Sequence, residues 1–334
     1  MNNFYVANFG AKGERNGQVE KSKQIFNLLQ EIQPRLRKID LSKNIFGIHA
    51  LLNPIRTIPN VYVSLGQNGI FVFLLVMWVR IVLFRKKSTI IYFVVGGWLA
   101  NLLRNSTILR VLMRRVYVMY VESFSLKMEL EALGYEAKLF PNFRESSCSG
   151  PKDLINNSKL KLVFCSRVRR DKGVIDAIQL VHRLNQLGQD STLDIYGPID
   201  DDFDDFHKQC DLYDYCVSYK GEYYAEEATA ILAAYDFLIF PTYYYGECMP
   251  GVIVESFSVG TPVVCSDWRY LSEYVDDEVD GFVCKLSCFV DQALSKLEGI
   301  RSESRYRTMS LKAYERFENS YSITKARLLL SGKE

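Results

Sequence analysis

The stretch IFPTYYYGECMPGVIVESFSVGTPVVCSD, residues 239–267, decides how the chain folds. Residues 236–241 are apolar up to a proline and predict a buried strand, and residues 251–259 predict a short helix that Gly260 ends. The segment PVVCS then predicts a second strand. A strand, a loop, a helix and a strand in this order indicate one unit of a parallel α/β sheet.

Two carboxylates accompany the predicted helix, Glu247 just before it and Glu255 within it. The first backbone N–H groups of a helix have no partner inside the helix and can hold an anion. A nucleoside diphosphate sugar would suit both features, because the amides would bind the diphosphate and the carboxylates would bind hydroxyls at its two ends. The alternative is a helix with one N-terminal acid and one exposed acid.

The segment GECMPGVIVESFSVGTPVV resembles the donor-site motif of the retaining glycosyltransferases of family 4, which have the GT-B fold. Their motif commonly reads E-G-F-P-x-V-x-x-E-A-x-A-x-G-x-P-V-V. The matching positions are Glu247, Pro250, Val252, Glu255, Gly260, Pro262, Val263 and Val264. Ser256 and Ser258 stand where alanine is usual. Cys248 replaces a glycine at the point where the family's loop approaches the ligand closely, which puts the fit of the donor in question.

The length of 334 residues and the ordinary content of hydrophobic (48%) and charged (24%) residues indicate two globular domains. The resemblance implies an α/β protein of two Rossmann-like domains whose parallel sheets face a central cleft. We expect residues 1–150 to bind the acceptor and residues 151–310 to bind the nucleotide sugar. Residues 311–334 are expected to return as a helix toward the first domain, and the polar stretch 145–159 predicts the linker.

Charge is distributed unevenly along the chain. Residues 1–150 hold 20 Lys and Arg and 9 Asp and Glu, a net charge of +11, and the remainder has a net charge of −9. A basic half suggests a polyanionic partner, and since no nucleic-acid-binding motif is present, we expect an anionic membrane surface and no nucleic acid. The apolar run 69–84, which Arg85-Lys86-Lys87 follows, predicts a buried or membrane-lying helix. The alternative is a core helix with scattered basic residues.

The cysteine pattern and the N-terminal sequence indicate the cytoplasm. None of the eight cysteines forms a C-x-x-C pair, and the chain opens with a polar segment rather than a secretory signal. We therefore expect reduced cysteines in a cytoplasmic protein, associated peripherally with the inner face of the cell membrane. The aspartate run at Asp200 lies in a polar connection, and the resemblance implies a donor site that needs no metal, so we expect no metal and no other cofactor.

The segment CSRVRRDKG, residues 165–173, is predicted to be the loop between a strand and a helix. Its pattern S-R-x-x-x-x-K-G resembles the family's phosphate-binding loop. The resemblance implies that Arg167 and Lys172 bind the diphosphate and stabilise the charge that grows as it leaves. It also implies that Glu247 contacts hydroxyls of the donor sugar. Without the downstream glutamates, such a loop would more commonly be surface charge.

The same resemblance assigns further positions around the nucleotide. Glu255 is expected to contact the ribose, and the amides of Gly251 and Val252 are expected to support the diphosphate. The other expected positions are Met249, Pro250, Gly197 and Gly221 for the donor, and Gly17, Gln18 and Gly97 in first-domain loops near the phosphates and the acceptor. Gly17 and Gln18 belong to the loop that begins at Asn16.

The function implied is that of a retaining, metal-independent hexosyltransferase of capsule, exopolysaccharide or O-antigen synthesis. It would move a sugar from a nucleoside diphosphate to a hydroxyl of a lipid-linked saccharide. The leaving phosphate would itself accept the proton, so no protein base is needed. One alternative is a non-catalytic GT-B partner subunit, which Cys248 favours, as does the absence of a motif histidine among His49, His182 and His207. The other is a different GT-B reaction on a nucleotide sugar.

Overall fold

The chain forms two compact units, Met1–Pro141 and Asn142–Glu334. The computed structural model describes residues 3–10, 17–42, 51, 58–85, 87–146, 150–155, 158–201, 203–301 and 303–332. The division precedes residue 150, the expected end of the first domain, because the chain is bonded within the second unit from Asn142 onward. The backbone N–H of Arg144 donates to Tyr321 O at 3.0 Å, and that of Lys152 donates to Ser310 Oγ at 2.8 Å.

The first unit is a sheet of six parallel strands in the order β2-β1-β3-β4-β5-β6. The strands are β1 Phe4–Ala7, β2 Arg37–Asp40, β3 Asn60–Ser64, β4 Thr89–Phe93, β5 Val116–Val121 and β6 Ala137–Leu139. The helices are α1 Gly17–Ile32, α2 Gln67–Phe84, α3 Leu99–Asn105, α4 Thr107–Met113 and α5 Phe124–Ala132. All four residues of β1 are buried, as expected of a parallel strand that is covered on both faces.

The second unit is also a sheet of six parallel strands, in the order β12-β11-β10-β7-β8-β9. The strands are β7 Leu160–Cys165, β8 Ser191–Tyr196, β9 Val217–Gly221, β10 Phe237–Phe240, β11 Val263–Ser266 and β12 Gly281–Cys284. The helices are α6 Val174–Gln186, α7 Phe206–Asp211, α8 Ala228–Ala233, α9 Gly251–Ser258, α10 Phe289–Glu298, α11 Glu303–Arg316 and α12 Ile323–Ser331. The strand–loop–helix–strand unit predicted from residues 236–266 is therefore confirmed as β10, α9 and β11.

Helix α2 is the long apolar helix predicted from residues 69–84. It is long and apolar enough to cross a membrane, with a mean hydropathy of 1.9, but only 28% of its residues are buried in the protein. One side packs inward through Ile70, Phe73, Leu74 and Met77. The exposed side carries Phe71, Val72, Leu75, Trp78, Val82 and Leu83. The alternative of a core helix thus accounts for one side of α2 and leaves the other unexplained.

The strand order of the second unit determines where its loops meet. Strand β7 pairs with β10 on one side and with β8 on the other, and all three run in the same direction. The loops that follow them therefore emerge at one edge of the sheet, which is where parallel α/β sheets bind their ligands. These loops are residues 166–173, the turn at Gly197, and residues 241–250.

Candidate active site

Lys172 and Glu247 form an ion pair at this edge of the second sheet. Lys172 ends the short 3₁₀ turn Arg170–Lys172 that follows β7, and Glu247 lies in the loop between β10 and α9. Lys172 Nζ donates to Glu247 Oε2 at 2.5 Å, and the side chains are only 13% and 11% exposed. The Thr242 hydroxyl donates to the same oxygen at 3.3 Å. Two residues that the sequence predicts to be catalytic are thus in direct contact.

An aromatic ring that the sequence reasoning did not single out lies beside this pair. The ring centroid of Tyr244 is 4.6 Å from Lys172 Nζ and 5.1 Å from Arg169 Cζ. A cation over an aromatic face is stabilised by the ring quadrupole, most strongly where water is excluded. The available signal was the row of three tyrosines that precedes Glu247, but the pattern does not tell which of the three meets the cations.

Arg167 lies on the same loop as Lys172 but contacts a different partner. Its Nη1 is 3.6 Å from Asp200 Oδ1, and its side chain is 47% exposed. Arg169 contacts the same carboxylate, with Nε 3.4 Å from Asp200 Oδ2, and also lies 2.6 Å from Asp171 Oδ1. The loop therefore offers Lys172 as a largely buried cation and Arg167 as a solvated one. Asp200, part of the aspartate run, is a partner of these two arginines.

Glu255 forms a second ion pair, with Arg144. Both Nε and Nη2 of Arg144 lie 2.7 Å from Glu255 Oε1, and the side chains are 14% and 13% exposed. The Arg144 Nη1 donates to Asn142 Oδ1 at 2.9 Å, and Asn142 Nδ2 donates to Met249 O at 3.4 Å. Sequence reasoning missed Arg144, because this residue belongs to no motif and lies within residues 1–150, which are expected to bind the acceptor.

The start of α9 lies against the Arg144 guanidinium. Pro250 caps the helix in an extended conformation and Gly251 is its first residue, so the N–H groups of this turn have no partner inside the helix. A Cβ on Gly251 would collide with Arg144 Nη2, so glycine is the residue that permits the contact. Met249 and Pro250 are buried below this turn, and Val252 is half-buried.

Gly197 brings the end of β8 next to the loop of residues 166–173. Its φ of 139° is strained for other residues, and a Cβ there would collide with the carbonyl oxygen of Ser166. Gly221 ends β9, the neighbouring edge strand. Both glycines thus belong to the same end of the sheet as Lys172.

Cys248, where the family has glycine, faces the protein interior. The residue is 4% exposed, and its Sγ lies 3.8 Å from the Tyr274 hydroxyl. The larger side chain is therefore accommodated by the core beneath the loop.

Of the first-domain residues predicted to lie in loops near the phosphates, only Gly97 is in a turn, and Gly17 and Gln18 belong to a helix. Gly17 and Gln18 open α1, and Gly97 lies in the buried turn before α3. Asn16, which begins the predicted loop, lies outside the described residues.

A buried ion pair that the sequence reasoning did not identify connects helix α1 with the ends of two strands of the first sheet. Lys21 Nζ lies 2.6 Å from Glu122 Oε1 and donates to Val94 O at 3.3 Å, so α1 is tied to the ends of β4 and β5. The start of α1 and the turn at Gly97 therefore lie at the same edge of the first sheet.

Comparison with known proteins identifies the family. The family model described as "Glycosyl transferases group 1" matches residues 150–316. This range holds Lys172, Glu247 and Glu255. A comparison with curated protein sequences finds no match.

Solved structures show the fold of the whole chain. Anabaena HepE in complex with UDP has a TM-score of 0.72 at 15% identity, over 100% of this chain and 99% of that one. Sucrose-phosphate synthase from Thermosynechococcus elongatus has a TM-score of 0.76 at 14% identity, over 100% and 98%. The lipopolysaccharide outer core galactosyltransferase WaaB, in its apo form, has a TM-score of 0.73 at 12% identity, over 100% of both chains. The predicted two-domain α/β architecture of the GT-B type is confirmed.

Proposed function

This chain belongs to the group 1 glycosyl transferases, and from that premise we propose that it transfers a hexose from a nucleoside diphosphate, with retention of configuration. The proposed acceptor is a hydroxyl of a lipid-linked saccharide in the synthesis of a surface polysaccharide. The observation that carries the proposal is the buried pair of Lys172 and Glu247, with Glu255 on the adjacent helix.

The Lys172–Glu247 pair suits the departure of a diphosphate. When the bond between the sugar and the phosphate oxygen breaks, negative charge grows on the leaving group. A cation that is fixed beforehand and shielded from water stabilises that charge without reorganisation. Lys172 meets this requirement because its Nζ is held by Glu247 and lies over the Tyr244 ring. Glu247 in turn presents a carboxylate that can accept bonds from sugar hydroxyls.

Retention of configuration rests on the resemblance to family 4 and fits the chemistry of the site. Glu247 is engaged by Lys172 and Thr242, which suits an acceptor of hydroxyl hydrogen bonds better than a proton base. We propose that the leaving phosphate takes the proton of the acceptor hydroxyl on the same face of the sugar. The side chains of Lys172 and Arg167 would supply the positive charge, so no metal ion is required.

A uridine diphosphate hexose is the donor that the comparisons favour. Three structures of Anabaena HepE contain UDP, UDP with glucose, and UDP-glucose. The pneumococcal transferase GtfA has also been solved with UDP and GlcNAc. We propose the same nucleotide for this chain, with the hexose to be identified by experiment.

An exposed apolar surface on the first unit supports a lipid-linked acceptor. We call it the α2–α4 surface, and its apolar part consists of the exposed side of α2 together with Ile108 and Val111 of α4. Exposed basic residues adjoin it along the chain, namely Arg85, Lys87, Arg110, Arg114 and Arg115. Apolar side chains beside cations suit the boundary of an anionic bilayer. We therefore propose a peripheral protein of the cytoplasmic membrane face; Lys86 lies outside the described residues.

Turnover of nucleotide sugars tests the proposal. The protein is incubated with UDP-glucose, UDP-galactose, UDP-GlcNAc, GDP-mannose and ADP-glucose, and slow release of the nucleoside diphosphate is measured by chromatography. We expect one uridine donor to be hydrolysed, and EDTA to leave the rate unchanged. With methanol as the acceptor, the product should be the methyl glycoside of unchanged anomeric configuration, which, unlike the free sugar, does not equilibrate. No hydrolysis of any donor would favour the non-catalytic partner subunit. Loss of activity in EDTA and its recovery with Mg²⁺ or Mn²⁺ would contradict metal independence.

A further inference from the structure

Arg144 occupies a position that the proposed function leaves unexplained. Glu255 is expected to accept hydrogen bonds from the ribose, yet its carboxylate is already engaged by a guanidinium. Arg144 reaches it from a segment distant in the sequence, 111 residues before Glu255. This ion pair is about six-sevenths buried. It either prevents Glu255 from binding the ribose or holds the carboxylate in the orientation that binds the ribose.

The geometry indicates that Arg144 orients the Glu255 carboxylate rather than preventing it from binding the ribose. Both Nε and Nη2 of Arg144 go to the same oxygen, Glu255 Oε1. Within the described part of the chain, no hydrogen bond to Oε2 accompanies them. A carboxylate has about four acceptor positions, so Oε2 keeps its capacity for hydroxyl donors while Oε1 is held. The guanidinium thus fixes the rotation of the carboxylate.

Arg144 is itself held rigidly on its other side. Its Nη1 donates to Asn142 Oδ1 at 2.9 Å and to Phe143 O at 2.8 Å. Asn142 is bonded to Met249, in the loop that leads into α9. The Nη2 end packs on Gly251, where any larger residue would collide with it. A planar guanidinium that is fixed at both ends transmits its orientation to its partner better than a lysine would.

The ion pair also removes an electrostatic conflict. The proposed diphosphate lies at the start of α9, where Gly251 and Val252 provide backbone amides. An uncompensated carboxylate on the same helix would repel it, and burial would strengthen that repulsion by lowering the local dielectric constant. Arg144 neutralises Glu255 at this place while leaving it able to accept hydrogen bonds.

We propose that Arg144 is a positioning residue for the ribose of the donor: it holds Glu255 Oε1 so that Oε2 accepts the ribose hydroxyls. This inference rests on the proposed function, since it requires a nucleotide at this site. The competing explanation is that Arg144 only fastens residues 142–144 to α9. The two differ in one respect, which is whether loss of Arg144 affects the recognition of ribose hydroxyls.

The test compares a ribonucleotide with its analogue that lacks the two ribose hydroxyls. UDP, GDP and ADP are first titrated calorimetrically against the wild-type protein, and the tightest binder is then compared with its 2′,3′-dideoxy form. The variants are Glu255→Gln, Arg144→Ala and Arg144→Lys. The matched control is Arg183→Ala, which removes an exposed ion pair with Asp291 in the same unit. Thermal unfolding of each variant separates loss of folding from loss of binding.

We expect the wild-type protein and the control to prefer the ribonucleotide by about 10- to 100-fold, the effect of charge-assisted hydrogen bonds. Arg144→Ala and Glu255→Gln should both bring the ratio of the two affinities close to one. Arg144→Lys should fold even if the alanine variant does not. It should give an intermediate ratio, because lysine cannot hold the carboxylate with a planar fork.

Three results would overturn the inference. An equal weakening of both nucleotides by Arg144→Ala would mean that Arg144 acts on the diphosphate. Unchanged affinities with a lower unfolding temperature would mean that it only fastens the chain. A wild-type ratio in Glu255→Gln would remove the ribose role of Glu255 and with it that of Arg144. Failure of the wild-type protein to bind any nucleoside diphosphate would instead overturn the proposed function itself.

Discussion

Lys172 is the residue whose environment best matches a catalytic role. It is 13% exposed, bound to Glu247 and placed over Tyr244, whereas Arg167 is 47% exposed and bound to Asp200. A buried cation interacts strongly with developing charge, while a solvated one is screened by water and salt. The two cations of the loop should therefore contribute unequally to the rate.

We predict that Lys172→Ala lowers kcat/KM by about 10²–10³, the effect of losing one preorganised charge-stabilising group. Arg167→Ala should cost less, because its guanidinium is already solvated. Initial rates of sugar transfer or donor hydrolysis measure both effects, with Arg183→Ala as the unaffected control. Unchanged turnover in Lys172→Ala would exclude Lys172 from the chemistry.

At the residue scale, the sequence predicts site residues where a motif marks them and misses those that belong to no motif. Two motifs predict Lys172 for the diphosphate and Glu247 for the donor sugar, and the structure adds that these two side chains are in direct contact. The Arg144–Glu255 pair is not predicted, because Arg144 belongs to no motif and its partner lies far along the chain. Such a contact depends on how the segment before β7 folds back on α9, which local patterns do not contain.

At the scale of elements, apolar patterning and glycine placement predict the strands and helices around the site. Residues 236–241 form β10 and residues 251–259 form α9, each within a residue or two of the expected bounds. Helix α2 shows the limit of this reasoning. Its sequence is apolar on all sides, so only the positions of its neighbours decide that Phe73 is buried and Trp78 is exposed.

Lys152 caps the C-terminal end of helix α8. Its ammonium donates to the carbonyl oxygens of Leu232, Ala233 and Tyr235, groups that a helix end leaves without partners. Burial lowers the pKa of Lys152 to about 8, although the charge of Asp236 opposes this shift. The protonated amine is thus less stable in the folded protein than in the unfolded chain.

We predict a pH effect that depends on this residue. Between the folded pKa of about 8 and the ordinary value of 10.5, the unfolded chain binds more protons than the folded protein. The contribution of Lys152 to the free energy of unfolding should therefore rise with pH across this range. Urea unfolding at pH 7.5 to 10.5 should show wild type gaining stability relative to Lys152→Met. A difference that is constant with pH would contradict the lowered pKa.

At the scale of the whole molecule, the charge asymmetry and the α2–α4 surface belong to the same unit. The first unit is the basic part of the chain, and the exposed apolar side of α2 lies on it. The sequence predicted two domains from length and composition, and the structure places the division at Pro141. The hydrogen bonds of Asn142 and Lys152 that set this division involve distant residues, so the polar composition of residues 145–159 did not reveal it.

We predict that the protein floats with anionic liposomes at low salt and is released at high salt, because each basic residue contributes on the order of 1 kcal/mol and salt screens it. Arg114→Gln with Arg115→Gln should weaken binding, as should Val82→Ser with Leu83→Ser. Leu187→Ser, which alters an exposed leucine of the second unit, is the control. Release only by detergent would indicate deeper insertion of α2. Absence of binding at low salt would contradict the membrane proposal.

The strand order of the second sheet has a consequence for biosynthesis. Strand β7 is the first strand of this sheet to be synthesised, but it lies in the interior of the sheet, between β8 and β10. One of its edges must therefore wait until β10 has left the ribosome, and such distant pairings form late because a long segment must close first. The nascent chain carries Lys172 well before it carries Glu247 and Glu255. Lys172 and Glu247 consequently come together only after β10 and the loop that follows it have been made, when the first unit has had time to fold.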